Sequence, residues 1–305
     1  MSTLLIEQIL NGLQYGAMLF LLASGLTLIF GIMGVINLTH GSFYMVGAFC
    51  AAYAATATGS FAAAVLAALA GAGLYGLVME LVVIRRLYAR DHLDQVLATF
   101  GMILFTNELV SVVFGRTPPF MDIPSFLTGT VALLPGLAYP VVRLAFILVG
   151  ALVAIGLWLL ITRTRIGMLI RAGADDRAMV DALGVDIRRL FSLVFALGAV
   201  LCGLAGVMTA PLLAVEIGMG ERILITTFVV IVVGGVGSVR GAAVGALIVG
   251  MIDSLGRAYI PITLYELLPP EIASTLAAGL VSASIYVAMA AILLVRPRGL
   301  LPARG

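Results

Sequence analysis

The sequence predicts an all-α membrane protein, a polytopic helical bundle of eight or nine spans with broken or re-entrant helices among them. Three observations lead there. Of 305 residues, 62% are hydrophobic and only 10% charged, with a mean hydropathy of +1.20, whereas a soluble domain carries about 25% charged residues. Several apolar runs reach the roughly 20 residues that a helix needs to cross about 30 Å of hydrocarbon. The period-2 alternation of a membrane barrel is absent. Residues 1–305 read as a single transmembrane domain.

Apolar runs between polar breaks place spans near 6–33, 38–58, 61–84, 95–115, 141–162, 190–213, 223–239, 241–260 and 276–295. The first is read as a retained span, because Met1 to Gln8 lacks the basic start of a signal peptide. Before the second lies Gly34-Val-Ile-Asn-Leu-Thr-His-Gly41, which puts Asn37, Thr39 and His40, one of only two histidines, between two greasy runs. Polar groups at membrane depth are costly and face the bundle interior. Gly31, Gly34 and Gly41 allow the helix to break. The segment is either an ordinary turn capped by Asn37 or Thr39, or a discontinuous helix whose freed backbone groups face protein or a cavity.

Residues 116–140, with Pro118, Pro119, Pro124 and Pro135, read as a loop. A second glycine-rich break runs from Val233 to Gly245, and the spans around Gly241 read as one long helix, two short ones or a re-entrant element. Gly34 and Gly41 have the same spacing as Gly234 and Gly241. Matched interruptions of this kind are the trace of an internal repeat and point to a translocation path. The path candidates are therefore Gly34, Asn37, Thr39, His40 and Gly41, with Gly234, Gly235, Gly237 and Gly241. Many of the 35 glycines, such as Gly12 with Gly16 and Gly198 with Gly203 and Gly206, are spaced for close helix contact. Cys50 and Cys202 lie inside apolar runs and read as small hydrophobes.

All seventeen basic residues are arginine, and thirteen fall in segments 85–94, 163–189, 236–240 and 296–305. Only Arg116, Arg143, Arg222 and Arg257 fall elsewhere. The positive-inside rule makes the first set cytoplasmic, so nine crossings put the N-terminus outside and the C-terminus inside. Within the longest hydrophilic stretch, 163–189, Asp175 or Asp176 caps a short helix. Ala178, Met179, Ala182 and Leu183 give it an apolar stripe, Asp181 lies between them, and Gly184 ends it. The stripe either covers its own bundle or awaits a partner.

Other chemistries lack their signatures. No phosphate-binding G-x-x-x-x-G-K-[ST], no H-E-x-x-H and no G-x-S-x-G is present, so no enzymatic role, metal, cofactor or nucleic acid is expected. An ion-driven secondary transporter needs buried ionisable relays, and its candidates are Glu80, Glu108, Asp253 and His40.

The order of these features resembles the membrane-spanning permeases of branched-chain amino acid ABC transporters, over nearly the whole length. Asn37-Leu-Thr-His-Gly41 looks like that family's Asn-x-x-His-Gly signature. Asp176 to Gly184 is similar to the loop that contacts the ATPase in ABC importers. Val180-Asp-Ala-Leu-Gly184 departs from the common Glu-Ala-Ala form, so its docking role rests on position and on Gly184. The resemblance implies a non-catalytic subunit of an ATP-driven importer in a bacterial inner membrane. A second homologous permease, two cytoplasmic ATPase subunits and an external solute-binding protein would complete it. The solute would be a branched-chain amino acid or another small polar molecule such as urea or an amide.

Overall fold

The computed structural model describes residues 2–302; Arg304, one of the thirteen clustered arginines, lies outside them. Long helices dominate: α1 (Ser2–Met33), α2 (His40–Thr58) and α3 (Phe61–Met79), which runs through a π turn, Glu80–Ile84, into α4 (Arg85–Leu87). Then follow α5 (His92–Phe114), a hairpin of β1 (Thr130–Leu134) and β2 (Leu137–Pro140), and α6 (Val141–Arg163). Two short helices, α7 (Arg165–Asp175) and α8 (Arg177–Ala182), lead to α9 (Ile187–Thr209), α10 (Met219–Gly234), α11 (Val239–Leu267) and α12 (Pro270–Val295).

The all-α bundle is as expected, but the span count is not. Among the described residues, seven helices are long and apolar enough to cross a bilayer, against the eight or nine read from the sequence. The two that fall short are α2, whose first turn is His40-Gly-Ser42, and α10, with 16 residues. Both follow a non-helical segment, 34–39 and 210–218 respectively. The second was unforeseen, because the apolar run was read straight through Pro211 to residue 213.

The core is built around α1, which packs against α6, α9, α10 and α11, while α2 packs on α3 and α9. In lipid, helices associate through close packing, and small residues permit it. A Cβ on Gly47 would stand 2.5 Å from Gly203 Cα, and one on Gly16 2.9 Å from the Ala246 carbonyl oxygen. The glycine spacing is thus spent on the α2–α9 and α1–α11 contacts.

The helices define two ends. At one, Arg177 Nη2 lies 3.0 Å from where a Gly34 Cβ would be, and the Ile36 N–H donates to Gln95 Oε1 at the start of α5 (3.1 Å). Glu80, fully buried, accepts from Arg85 (3.2 Å), Tyr88 (2.6 Å) and Ser192 of α9 (2.7 Å). The ends of α3 and α9 are tied there by a carboxylate whose buried charge is paired. At the opposite end sits the hairpin, absent from the sequence reading. Its antiparallel register pairs Val131 with Tyr139 and Ala132 with Ala138, and Gly136 turns it at φ +85°. Tyr139 and Arg143 both donate to Asn11 Oδ1, which anchors β2 and α6 on α1.

Candidate functional site

The first break is a re-entrant strand of chain inside the bundle. Gly34 ends α1 in the left-handed conformation, φ +60°, with its N–H on the Phe30 carbonyl (2.8 Å), the usual glycine stop. The chain then turns back beside α1. His40 Nε2 lies 3.1 Å from the Leu22 carbonyl oxygen, and Met33, the end of α1, lies eleven helical steps beyond Leu22, a rise of roughly 16 Å. α2 therefore starts deep in the protein.

Asn37, Thr39 and His40 are each fully buried, as residues inside a bundle must be if they are to spare lipid a polar group. Asn37 Oδ1 accepts from the Thr39 N–H (3.0 Å), and Thr39 Oγ1 donates to the Thr99 carbonyl of α5 (3.0 Å). A carbonyl can only accept, so His40 Nε2 carries its proton toward Leu22, with Cys202 Sγ of α9 beside it at 3.0 Å. The break thereby joins α1, α5 and α9. Among the described residues, Asn37 Nδ2 and His40 Nδ1 have no hydrogen-bond partner. Of the two sequence readings, the discontinuous segment is the one observed; Thr39 occupies the N-cap position without a side-chain cap bond.

Gly234–Gly241 is built differently. It is a turn of four residues between α10 and α11, with Gly235 and Gly237 at φ +111° and +81°. Ser238 Oγ caps α11 by accepting from the Gly241 N–H (3.0 Å). The turn sits at the α8 end, where Gly237 meets Gly31, not within the bundle as expected. The tail covers it: Leu300 and Leu301 donate their N–H groups to the Val233 and Gly234 carbonyls at 2.9 and 2.8 Å.

The interruption whose following helix meets the first break is 210–218, although its Leu213 is 62% exposed where Asn37, Thr39 and His40 are buried. Gly220, in the first turn of α10, packs on Gly41, whose Cβ would stand 2.1 Å from the Gly220 oxygen. Asn107 of α5 donates to Glu221 Oε1 at 2.5 Å, and Arg222 pairs with Glu216 at 2.7 Å. Glu221 and Arg222, read as loop residues, thus belong to α10. Pro211 and Gly218 were the signal for this break.

The short helix in the hydrophilic stretch is also present. Asp176 Oδ1 accepts from the Met179 N–H (3.0 Å), and Gly184 follows α8 at φ +83°. Val180 is buried against the bundle, while Met179 and Leu183 are 58% and 75% exposed. Asp181 and Ala182 are exposed as well. The relay candidates are dispersed: Glu80 pairs with Arg85, Asp253 with Arg257 (2.8 Å), and Glu108 is exposed on α5.

Residues 8–296 match the family described as branched-chain amino acid transport system, permease component. The chain belongs to this family. It is 30% identical over 265 residues to the high-affinity branched-chain amino acid transport system permease protein BraD of Pseudomonas aeruginosa, covering 82% of this chain and 86% of that protein. With LivH of Escherichia coli K12, a permease of the same description, it shares 29% over 269 residues, 84% of this chain and 87% of the relative. A shorter match, 32% over 107 residues and 33% of this chain, is to the fructose import permease protein FrcC of Rhizobium meliloti, covering 29% of that protein. No solved structure matches. The chain is therefore a multi-pass permease subunit of an ABC importer, as its motifs implied, and the ion-driven alternative is not favoured.

Proposed function

We propose that this permease is the non-catalytic subunit through which a branched-chain amino acid, or a related small polar solute, crosses a bacterial inner membrane. ATP hydrolysis would take place on two cytoplasmic ATPase subunits. A second homologous permease and an external solute-binding protein complete the importer. The substrate class follows that of BraD and LivH, each matched over more than four fifths of this chain.

The observation that carries the mechanism is α8. It is capped by Asp176 and stopped by Gly184, and it holds Met179, Ala182 and Leu183 clear of its own bundle. An apolar face turned away from lipid suits a groove on the ATPase, a helix-in-groove contact. Arginine clusters at the same end, and by the positive-inside rule this supports a cytoplasmic α8 with the N-terminus outside. Arg177 ties α8 to the first break, its guanidinium carbon 5.7 Å from the Phe191 ring centre and Nη2 beside Gly34. Movement of α8 would thus reach Gly34, Asn37, Thr39, His40 and Gly41 within the bundle and, at its cytoplasmic end, Gly234, Gly235, Gly237 and Gly241, the path elements of this reading.

The test is reconstitution with ATPases and binding protein in proteoliposomes. Uptake of leucine should require all partners and ATP; uptake driven by a pH or sodium gradient alone would refute the importer. Leu183→Asp should abolish ATPase co-purification while the membrane bundle remains folded, because it sets an unpaired charge in the contact. Normal co-purification would remove α8 as the docking element.

A further inference from the structure

We infer that the second broken segment walls a binding site for a zwitterionic amino acid with an aliphatic side chain, whose carboxylate is taken by Arg143. The inference deepens the substrate reading above and rests on it. A cavity of about 200 Å³ lies between α1, α6, the end of α9 and the start of segment 210–218. Drug-sized ligands occupy roughly 300 Å³ or more, so this space suits a solute of few heavy atoms.

Its polar wall holds Gln14, Tyr15, Arg143 and Thr209, and its apolar wall includes Met18, Phe146, Leu212 and Leu213. Among the described residues no carboxylate forms an ion pair with Arg143. Its guanidinium is oriented by the neutral Asn11 Oδ1, which leaves most of five N–H donors for a ligand. A guanidinium held in place recognises a carboxylate through two parallel bonds. α9 ends in this wall at Thr209, and the carbonyl end of a helix favours a cation such as the solute's ammonium. The apolar wall fits the side chain.

Position supports the same use. Leu212, half-buried, and Leu213, exposed, belong to the non-helical chain before α10, whose Gly220 packs on the buried Gly41. Irregular backbone at membrane depth is tolerated where it is buried or lines a cavity, and discontinuous helices build the substrate sites of transporters. The apolar wall gives a lipid headgroup no reason to enter, although a headgroup bound by Arg143 remains an outcome of the test.

The experiment compares variants in the fully reconstituted importer, reading leucine and alanine uptake beside ATP hydrolysis. Arg143→Met should raise the KM for leucine about tenfold or more, the value of a charge-assisted pair, with ATPase association intact, and Arg143→Lys should fall between. Leu212→Trp, which fills the apolar wall, should depress leucine uptake more than alanine uptake. Wild-type KM in Arg143→Met, as for an arginine serving only headgroups, would overturn the site. If that variant does not assemble, Leu212→Trp decides, and an unchanged leucine-to-alanine ratio overturns it. A wild-type importer that moves no amino acid would refute the substrate reading and the site together, a result distinct from the other two.

Discussion

Gly34–Gly41 and Gly234–Gly241 have the same glycine spacing and opposite constructions. The first carries the chain back into the bundle, where every backbone group must find protein, and its Asn37, Thr39 and His40 supply partners from three directions. The second stays at the end of the bundle, where two left-handed glycines make a four-residue turn and the tail supplies the remaining bonds. Glycine spacing gives a backbone permission to turn; polar side chains in between decide whether it turns inside the protein. The break whose helix meets the first, 210–218, carries a single glycine, Gly218, so glycine spacing alone does not find it.

If the contrast is right, substitutions in the interior break should cost more than those in the end turn. The largest effect is expected for Gly41→Ala. Its new Cβ would stand 2.1 Å from the backbone oxygen of Gly220, and overpacking against backbone leaves no side chain to yield, so about 3 kcal/mol or more should be lost. Thermal unfolding in detergent measures it, and a midpoint unchanged within error would mean that α2 and α10 do not cross there. Next comes His40→Ala, which leaves the Leu22 carbonyl and Cys202 without their partner and should cost about 2 kcal/mol. His40→Gln keeps a donor and an acceptor and should recover at least half of that; equal losses in both would show that ring shape, not hydrogen bonding, holds the break.

In the end turn, Gly237→Ala meets the left-handed penalty of about 1–2 kcal/mol, since φ there is +81°. Leu300→Pro removes one N–H from the tail contact and should cost only about 1 kcal/mol. Either variant destabilising the protein more than His40→Ala would reverse the ranking.

Much of the bundle was legible because bilayer thickness imposes helix length directly on sequence. The run 141–162 appears as α6, Val141–Arg163, and 276–295 lies within α12. Asp176 and Gly184 could be placed as start and stop because capping chemistry is local. What stayed hidden depends on contacts distant in sequence. Pro211 marks an interruption after α9, but nothing near it says that Gly220 will meet Gly41. The hairpin at 130–140 was read as plain loop, since its short strands are exposed on both faces in β1 and carry no alternation. Arg143 could be read only as a charge near a membrane face until Asn11, Phe146 and Leu212 were brought around it.

The covering of α10 by the tail has a consequence for biosynthesis. The last carbonyls of a helix need outside partners, and those of Val233 and Gly234 find theirs in Leu300 and Leu301. Both residues lie beyond α12 in chain order. The end of α10 therefore keeps its last acceptors open until α11 and α12 have been made, and the seam is a contact that only the later chain can close.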